Sequence, residues 1–503
     1  MKVAVVGGGV SGLTAAYRLR TLLGPGAEIT VLEAGRELGG KLRTVPVAGR
    51  PCDVGAEAFL ARRPEALELI RELGLGDRLR HPSGASSTVR AGGRTVGLPK
   101  RTLMGIPADA DAVSDVLSGG GTARVAGERD LPPLRMPAGD VSLGHLVRER
   151  LGDEVVDRLV DPLLGGVYAG GADGLGLRAV VPALAAAVDR GATSLSSAVA
   201  AQLPGPGTSN STAAPNPAPV FGTLSGGLAA LITELADRAG ADVRLGVPVR
   251  ALNRRTDGGW RLTTGAVASA HAPAEPELDV DAVVLAVPAP AAARLLAEVA
   301  PDAAAAYGEV ELASMAVVTL ALPASTPLPA SSGVLIGARE RTRAGTPFTA
   351  KAFTFTSRKW PHQAGSDTED TEDTDATGDT ENTTDRTADE APVLLRGSVG
   401  RFGDTATLRA TDDELVRRVR ADLAELAGIT ADPVDVVVQR WGGGLPQYGV
   451  GHLDRVARIE RAVAEVPGLA VAGATLHGVG IPACIGTGDA AARRVAAHVT
   501  VGS

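Results

Sequence analysis

An apolar strand running into a glycine cluster that opens a helix, a second strand ending in an acid, and two distant apolar runs at 282–287 and 469–474 predict an α/β chain. The expected architecture is a Rossmann-type dinucleotide-binding domain, a mixed substrate domain, and a helical subdomain able to associate with a membrane. With 503 residues and 44% apolar content the chain can bury a large core, and that length suits two or three domains.

Along the chain, Val3 to Val6 reads as the first strand, Leu13 to Leu23 carries helical spacing, and Ile29 to Leu32 is the next strand, completing one βαβ unit. Pro64 to Leu73 predicts an amphipathic helix with proline in its first turn, and Leu143 to Leu164 predicts one or two more. Gly222 opens a Gly-rich stretch that leads into a helix over Ala229 to Ala239, then β-rich sequence from Val243 to Leu252 and a strand over Trp260 to Thr264. Ala282 to Val287 and Leu469 to Ala474 have the continuous apolar character of strands in a buried parallel sheet. A glycine-rich turn at 486–488 should introduce a last helix over Asp489 to Val499. Pro204 to Pro219 and Gly365 to Ala391 read as mobile surface insertions without chemistry, because their polar, low-complexity composition offers little to bury. The expected dinucleotide-binding domain is discontinuous, over 1–80, 220–300 and 441–503, with 81–219 and 301–440 forming the substrate-binding and helical part.

Composition excludes several classes of function. The net charge of -8 is concentrated in one acidic stretch, Asp367 to Glu390, and argues against a nucleic-acid partner. Cys52 and Cys484 are the only cysteines and form no metal-ligand spacing, so no metal is expected and a reducing cytoplasm suits the chain. A glycine cluster stands where a signal peptide would have its hydrophobic segment. The apolar run Ala282 to Ala300 is interrupted by Pro288, Pro290 and Arg294, short of the roughly 20 uninterrupted residues of a spanning helix, which leaves only peripheral contact with the inner face of a membrane. Monomer and homodimer both stay open.

Gly7, Gly8, Gly9, Val10, Ser11 and Gly12 place G-x-G-x-x-G directly after a strand and at the opening of a helix, where backbone can approach a pyrophosphate. Glu33 follows Gly12 by twenty-one residues at the end of the next strand, positioned to accept the hydroxyls of an adenosine ribose and to disfavour a 2'-phosphate. After Glu33 come Ala34, Gly35 and Arg36, then Gly39, Gly40, Lys41, Leu42 and Arg43; this second glycine pair with cations beside a pyrophosphate favours FAD over a nicotinamide cofactor.

This two-part signature resembles that of the amine oxidase-like flavoproteins, and Gly473-Ala474, Gly478 to Pro482 and Gly486-Thr487-Gly488 resemble their isoalloxazine-binding end. Within that superfamily the sequence is most similar to the protoporphyrinogen and coproporphyrinogen III oxidases, on Gly165 to Gly170, Trp441, Leu445 to Tyr448, Gly451-His452 and His477 to Cys484. The resemblance implies FAD contacts from Gly7 through Gly12, Glu33, Ala34, Lys41, Gly55, Ala56, Glu57, Ala58, Val249, Trp441, Val479, Gly480 and Ile481. It implies that a loop over Gly166, Val167, Tyr168 and Ala169 borders the substrate. Ala483 departs from the pattern, which often has an acid there.

The resemblance further implies an enzyme of haem biosynthesis that takes coproporphyrinogen III to coproporphyrin III in three two-electron steps, with dioxygen as acceptor and hydrogen peroxide as product. A protoporphyrinogen IX oxidase is the alternative, followed by a flavin amine oxidase or carotenoid desaturase. The low aromatic content, 3%, supplies few residues for the aromatic cage of an amine oxidase. Arg62, Arg63 and Arg101 are candidate partners for propionates, weighed against ordinary surface arginine in a chain where Arg supplies forty-five of fifty basic residues. His477 is more readily a packing residue than a proton relay, Cys484 a buried thiol rather than a flavin tether, and no catalytic residue is named.

Overall fold

The computed structural model describes residues 1–136, 139–203, 219–265, 277–364 and 391–501. The expected insertions 204–219 and 365–391 therefore lie outside the described residues, apart from Pro219 and Ala391.

Five short strands form a parallel sheet in the spatial order Asp242–Leu245, Glu28–Glu33, Lys2–Val6, Ala282–Leu285, Leu469–Val471. Val3 pairs with Ile29 on one side and Ala282 on the other, and Val283 pairs with Leu469. Side chains alternate across the sheet, so both faces must be covered. Val3 and Val5 pack with the helices Val10–Leu23, Ala229–Ala239 and Ile481–Val501, whereas Ala4 and Val6 pack with Trp260, Leu262 and Leu295 on the opposite face. Trp260 belongs to a three-stranded antiparallel layer, Val249–Arg254, Trp260–Thr264 and Glu277–Val280.

The second sheet has seven strands in the order Asp435–Pro446, Leu312–Leu322, Val393–Val399, Ala350–Thr354, Gly333–Ile336, Thr88–Ala91, Arg94–Gly97. Only the pairing of Gly333–Ile336 with Thr88–Ala91 is parallel. One face buries Leu320, Phe353, Leu395 and Val399 under the helix Asp412–Ala427. The other face looks toward the first body and toward the helix Asp161–Tyr168, where a methyl group on Gly166 would stand 3.7 Å from Leu335.

The middle of the chain is helical, as its Leu and Val spacing predicts. Leu143–Leu151 is capped by Ser142, whose Oγ accepts from the His145 N–H, and it stops at Gly152 with φ +93°. The expected loop over Gly166 to Ala169 is instead the last turn of the Asp161–Tyr168 helix, closed by Ala169 in the left-handed conformation at φ +55°. No helix among the described residues is long and apolar enough to cross a membrane.

The C-terminal expectation also needs correction, because Gly486-Thr487-Gly488 is not a turn. A single helix runs over Ile481–Val501 and contains all three residues. The glycine is there for close packing: a methyl group on Gly488 would stand 2.3 Å from the Ser11 carbonyl oxygen of the first helix. Gly488→Val is therefore expected to lose about 1–3 kcal/mol of stability through overpacking. Gly486→Ala, whose methyl would meet only Glu65 Cγ at 4.0 Å, should gain up to about 1 kcal/mol from helix propensity. Urea midpoints measure both, and equal midpoints for the two variants would contradict this packing account.

Candidate functional site

At the C-terminal edge of the Lys2–Val6 strand the chain makes a turn that only glycine fits. Gly7 has φ +107°, a methyl group on it would stand 2.3 Å from the Ala286 oxygen, and one on Gly12 would stand 1.9 Å from the Gly7 oxygen. A methyl group on Gly9 would meet nothing within 4 Å, so the outer side of the turn is open. The helix Val10–Leu23 has no side-chain cap and no acid in its first turn, so the N–H groups of Val10, Ser11 and Gly12 are presented to an anion. Glu33 is oriented from both sides: its Oε2 accepts from Gly8 N–H at 2.7 Å and its Oε1 from Gly35 N–H at 2.6 Å. Each oxygen keeps a further acceptor site.

The second glycine pair is tied to the first, with Gly39 N–H donating to the Gly8 oxygen at 2.8 Å. Gly39 at φ +105° and Gly40 at φ +57° then turn the chain so that Lys41 follows the fingerprint. Lys41 is half-buried, burial pulls its ammonium below the usual range, and no carboxylate pairs with it among the described residues. A cradle of glycine backbone, an uncapped helix start and an unpaired cation together fit a dinucleotide diphosphate.

The far end of the chain closes on the same place. Val479 and Gly480 lead into the last helix, which starts at Ile481, and its first turn places Cys484 beside Ser11 and Lys41. Val479 packs against the hydrophobic cluster to which Tyr168 and Tyr448 belong. Tyr448 donates its hydroxyl to the Ala474 oxygen at 2.6 Å and stacks on His452 at 3.9 Å, while its ring lies 5.5 Å from Tyr168. His452 is buried, and burial holds its imidazole at about 4, so it is neutral near pH 7. This brace between the turn preceding the last helix and the Tyr168 helix is not marked by any local sequence pattern, although Tyr448 and His452 stand four residues apart.

The Glu57 side chain is held by two cations from distant segments. Its carboxylate accepts from Lys359 Nζ and, at 2.7 Å, from Arg396, whose guanidinium also donates to the Gly55 oxygen at 2.6 Å. Burial pushes the Glu57 carboxyl up, but Lys359 and Arg396 outweigh it and hold it at about 2. Trp441, on the same sheet, donates Nε1–H to the Val54 oxygen at 3.0 Å and lies 3.1 Å from where a methyl on Gly55 would be. The segment Gly55, Ala56, Glu57 and Ala58 is thus clamped by the seven-stranded sheet, with Glu57 as the clamp's anchor. Neither Lys359 nor Arg396 was among the expected site residues; the rarity of lysine in this chain was the available signal for the first.

Other expected residues are dispersed. Ala34 is exposed directly after Glu33, and Val249 is buried just beyond Val247, whose N–H donates to the Glu33 oxygen at 2.9 Å. Gly166 and Val167 face outward at the helix end, and Tyr168 and Ala169 are buried. Arg63 pairs with Glu65 and Arg101 with Asp109, both at 3.0 Å on the surface, and Arg62 is exposed. His477 is half exposed and bonds Glu460 at 2.6 Å.

Glu57 supplies a pH test. Its folded pKa is depressed, so its contribution is complete above its usual value of 4.5 and is lost as pH falls toward about 2. Glu57→Gln should lose about 3–5 kcal/mol at pH 7, since it leaves two buried cations without their anion. It should also lose less further stability than the unmodified chain between pH 5 and pH 3 in urea unfolding. Parallel acid profiles would remove Glu57 from this role.

The whole-chain comparisons agree with one another. The model of the family described as flavin containing amine oxidoreductase matches residues 10–496. The chain is 43% identical to coproporphyrinogen III oxidase of Mycobacterium leprae (strain TN), covering 98% of each, and 31% identical to coproporphyrinogen III oxidase of Bacillus subtilis (strain 168), covering 97% of this chain and 96% of that one. A crystal structure from Exiguobacterium sp. 255-15, named with provisional wording as a protoporphyrinogen oxidase, superposes with a TM-score of 0.79 at 29% identity, covering 99% of this chain and 98% of that one. The chain belongs to the flavin-containing amine oxidoreductases and, among them, to the family of the coproporphyrinogen III oxidases.

Proposed function

We propose that this chain is an FAD-dependent oxidase of haem biosynthesis that converts coproporphyrinogen III to coproporphyrin III, with dioxygen as acceptor and hydrogen peroxide as product. The observation that carries the reading is the near-complete, 43% identical likeness to a coproporphyrinogen III oxidase, in a chain whose two ends converge on one dinucleotide cradle. In this reading residues 1–80, 220–300 and 441–503 hold the cofactor, and 81–219 and 301–440 form the substrate side.

When bound, FAD supplies the hydride acceptor for a bridging carbon of the reduced macrocycle and passes the electrons to dioxygen. The protein's part is binding and placement. The N–H groups of Val10, Ser11 and Gly12 and the Lys41 ammonium take the diphosphate, and Glu33, held by Gly8 and Gly35, takes the adenosine ribose. The clamped segment Gly55 to Ala58, Trp441 and the turn Val479 to Ile481 flank the ring system. The helix end Gly166 to Ala169 borders the substrate. No side chain is assigned as a general base. A reducing cytoplasm suits Cys52 and Cys484, both buried and unlinked.

The FAD-loaded protein, mixed anaerobically with coproporphyrinogen III, is expected to lose its oxidised-flavin absorbance in the first two-electron step, and porphyrin fluorescence should appear once air is admitted and the remaining steps can follow. Admitting air should restore the flavin and release peroxide. The specificity constant for coproporphyrinogen III should exceed that for protoporphyrinogen IX. An FAD-replete preparation that forms no porphyrin would overturn the activity, and equal or reversed specificity constants would move the substrate to protoporphyrinogen IX.

A further inference from the structure

Lys351 is 3% exposed, and its Nζ has no hydrogen-bond partner among the described residues. It sits where the Ala350–Thr354 strand slips register against Val393–Val399, with Ala350 opposite Val399 and Ala352 opposite Ser398. Ala350 and Val399 belong to the core under the Asp412–Ala427 helix. Burial, and then the like charge of Arg401, push the Lys351 ammonium down to about 7. A buried ammonium beside a guanidinium, with no anion of its own, is an unfavourable arrangement that a packed structural cation avoids.

Arg401 fixes where this pair lies. Its guanidinium donates to the Ile336 oxygen at 2.7 Å and stands 3.2 Å from where a methyl on Gly165 would be, under the last turns of the Asp161–Tyr168 helix. The next residue, Phe402, donates its N–H to the Ala169 oxygen at 2.5 Å. The nearby Asp161 carboxylate is engaged by the Ala172 N–H at 2.6 Å. At the other end of the same strand, Thr354 pairs with Arg396, which grips Gly55 and Glu57. Three residues of strand, about 10 Å, separate that row from Lys351. The sheet therefore runs from the clamp to Lys351, which has no carboxylate of its own among the described residues, beside Arg401, which the Asp161 and Asp404 carboxylates face. In a chain that uses arginine almost everywhere, a lysine here places a compact, mobile ammonium on a four-carbon stem.

We propose that Lys351, together with Arg401, receives one carboxylate arm of the tetrapyrrole beneath the Asp161–Tyr168 helix, on the side remote from the clamp, and so favours a tetra-acid macrocycle over a di-acid one. This rests on the function proposed above, which names the tetrapyrrole. The arriving carboxylate supplies the missing anion, stabilises the protonated lysine and relieves its repulsion with Arg401.

The test compares the unmodified enzyme with Lys351→Met, both loaded with FAD. Lys351→Met should keep its FAD and melt no lower than the unmodified enzyme, because an apolar chain replaces an unpaired ammonium. Its KM for coproporphyrinogen III should rise about tenfold or more with kcat little changed, and its preference over protoporphyrinogen IX should fall by a similar factor. Binding of coproporphyrin III, followed by fluorescence quenching, should weaken in parallel, whereas its tetramethyl ester should bind both proteins alike. Unchanged KM, preference and acid binding, with a raised melting temperature, would overturn the proposal and leave Lys351 a structural residue. If the unmodified enzyme forms no porphyrin, the functional reading fails by itself, and the acid-against-ester comparison still decides the carboxylate site. Lys351→Gln is read in the same assays if the methionine variant does not accumulate folded.

Discussion

The close contact between the first helix and the last is the constraint on which the rest of the structure depends. Gly12 lies against the Gly7 carbonyl and Gly488 against the Ser11 carbonyl, so three backbone segments share a space in which no side chain fits. That packing brings the first turn of the C-terminal helix beside Lys41 and the uncapped start of the N-terminal one. Two helix starts, each with unsatisfied N–H groups, then face one region from residues more than 450 positions apart. Without it the glycine fingerprint and the start of the C-terminal helix would not meet.

Charge is distributed around this region in two ways. The Glu57, Lys359 and Arg396 cluster is complete within the protein, and it locks the Gly55 to Ala58 segment to the seven-stranded sheet. Lys41 and Lys351 are the opposite case, cations drawn out of water without carboxylates of their own. Burying an unpaired ammonium opposes folding, so each marks a place where an anion from outside would improve the electrostatics. One lies beside the glycine turn, and the other lies beneath the Asp161–Tyr168 helix.

The parallel sheet was legible because both its faces are covered, which makes its strands continuous apolar runs such as Val3 to Val6 and Ala282 to Leu285. The seven-stranded sheet was largely illegible for a related reason. Leu312–Leu322 is buried along most of its length and carries no alternation to separate a strand from a buried helix, and the other strands of the sheet come from five separate segments. The Gly486-Thr487-Gly488 stretch misled because glycine serves both turns and close helix packing, and only the neighbouring Ser11 carbonyl distinguishes them. Glu57 was named from the resemblance, but its two cations lie about 300 and 340 residues away and no local pattern links them to it.

Local backbone chemistry was therefore determined by the sequence alone: the glycine turn after the first strand, Glu33 at the end of the second, and a cofactor type that follows from them. These depend on residues within one supersecondary unit, where spacing dictates geometry. Which cations find a carboxylate and which remain unpaired was decided only by the tertiary structure. Long-range pairing is set by how the sheets pack, and the same lysine reads identically in sequence whether its partner is Glu57 or a ligand still to arrive.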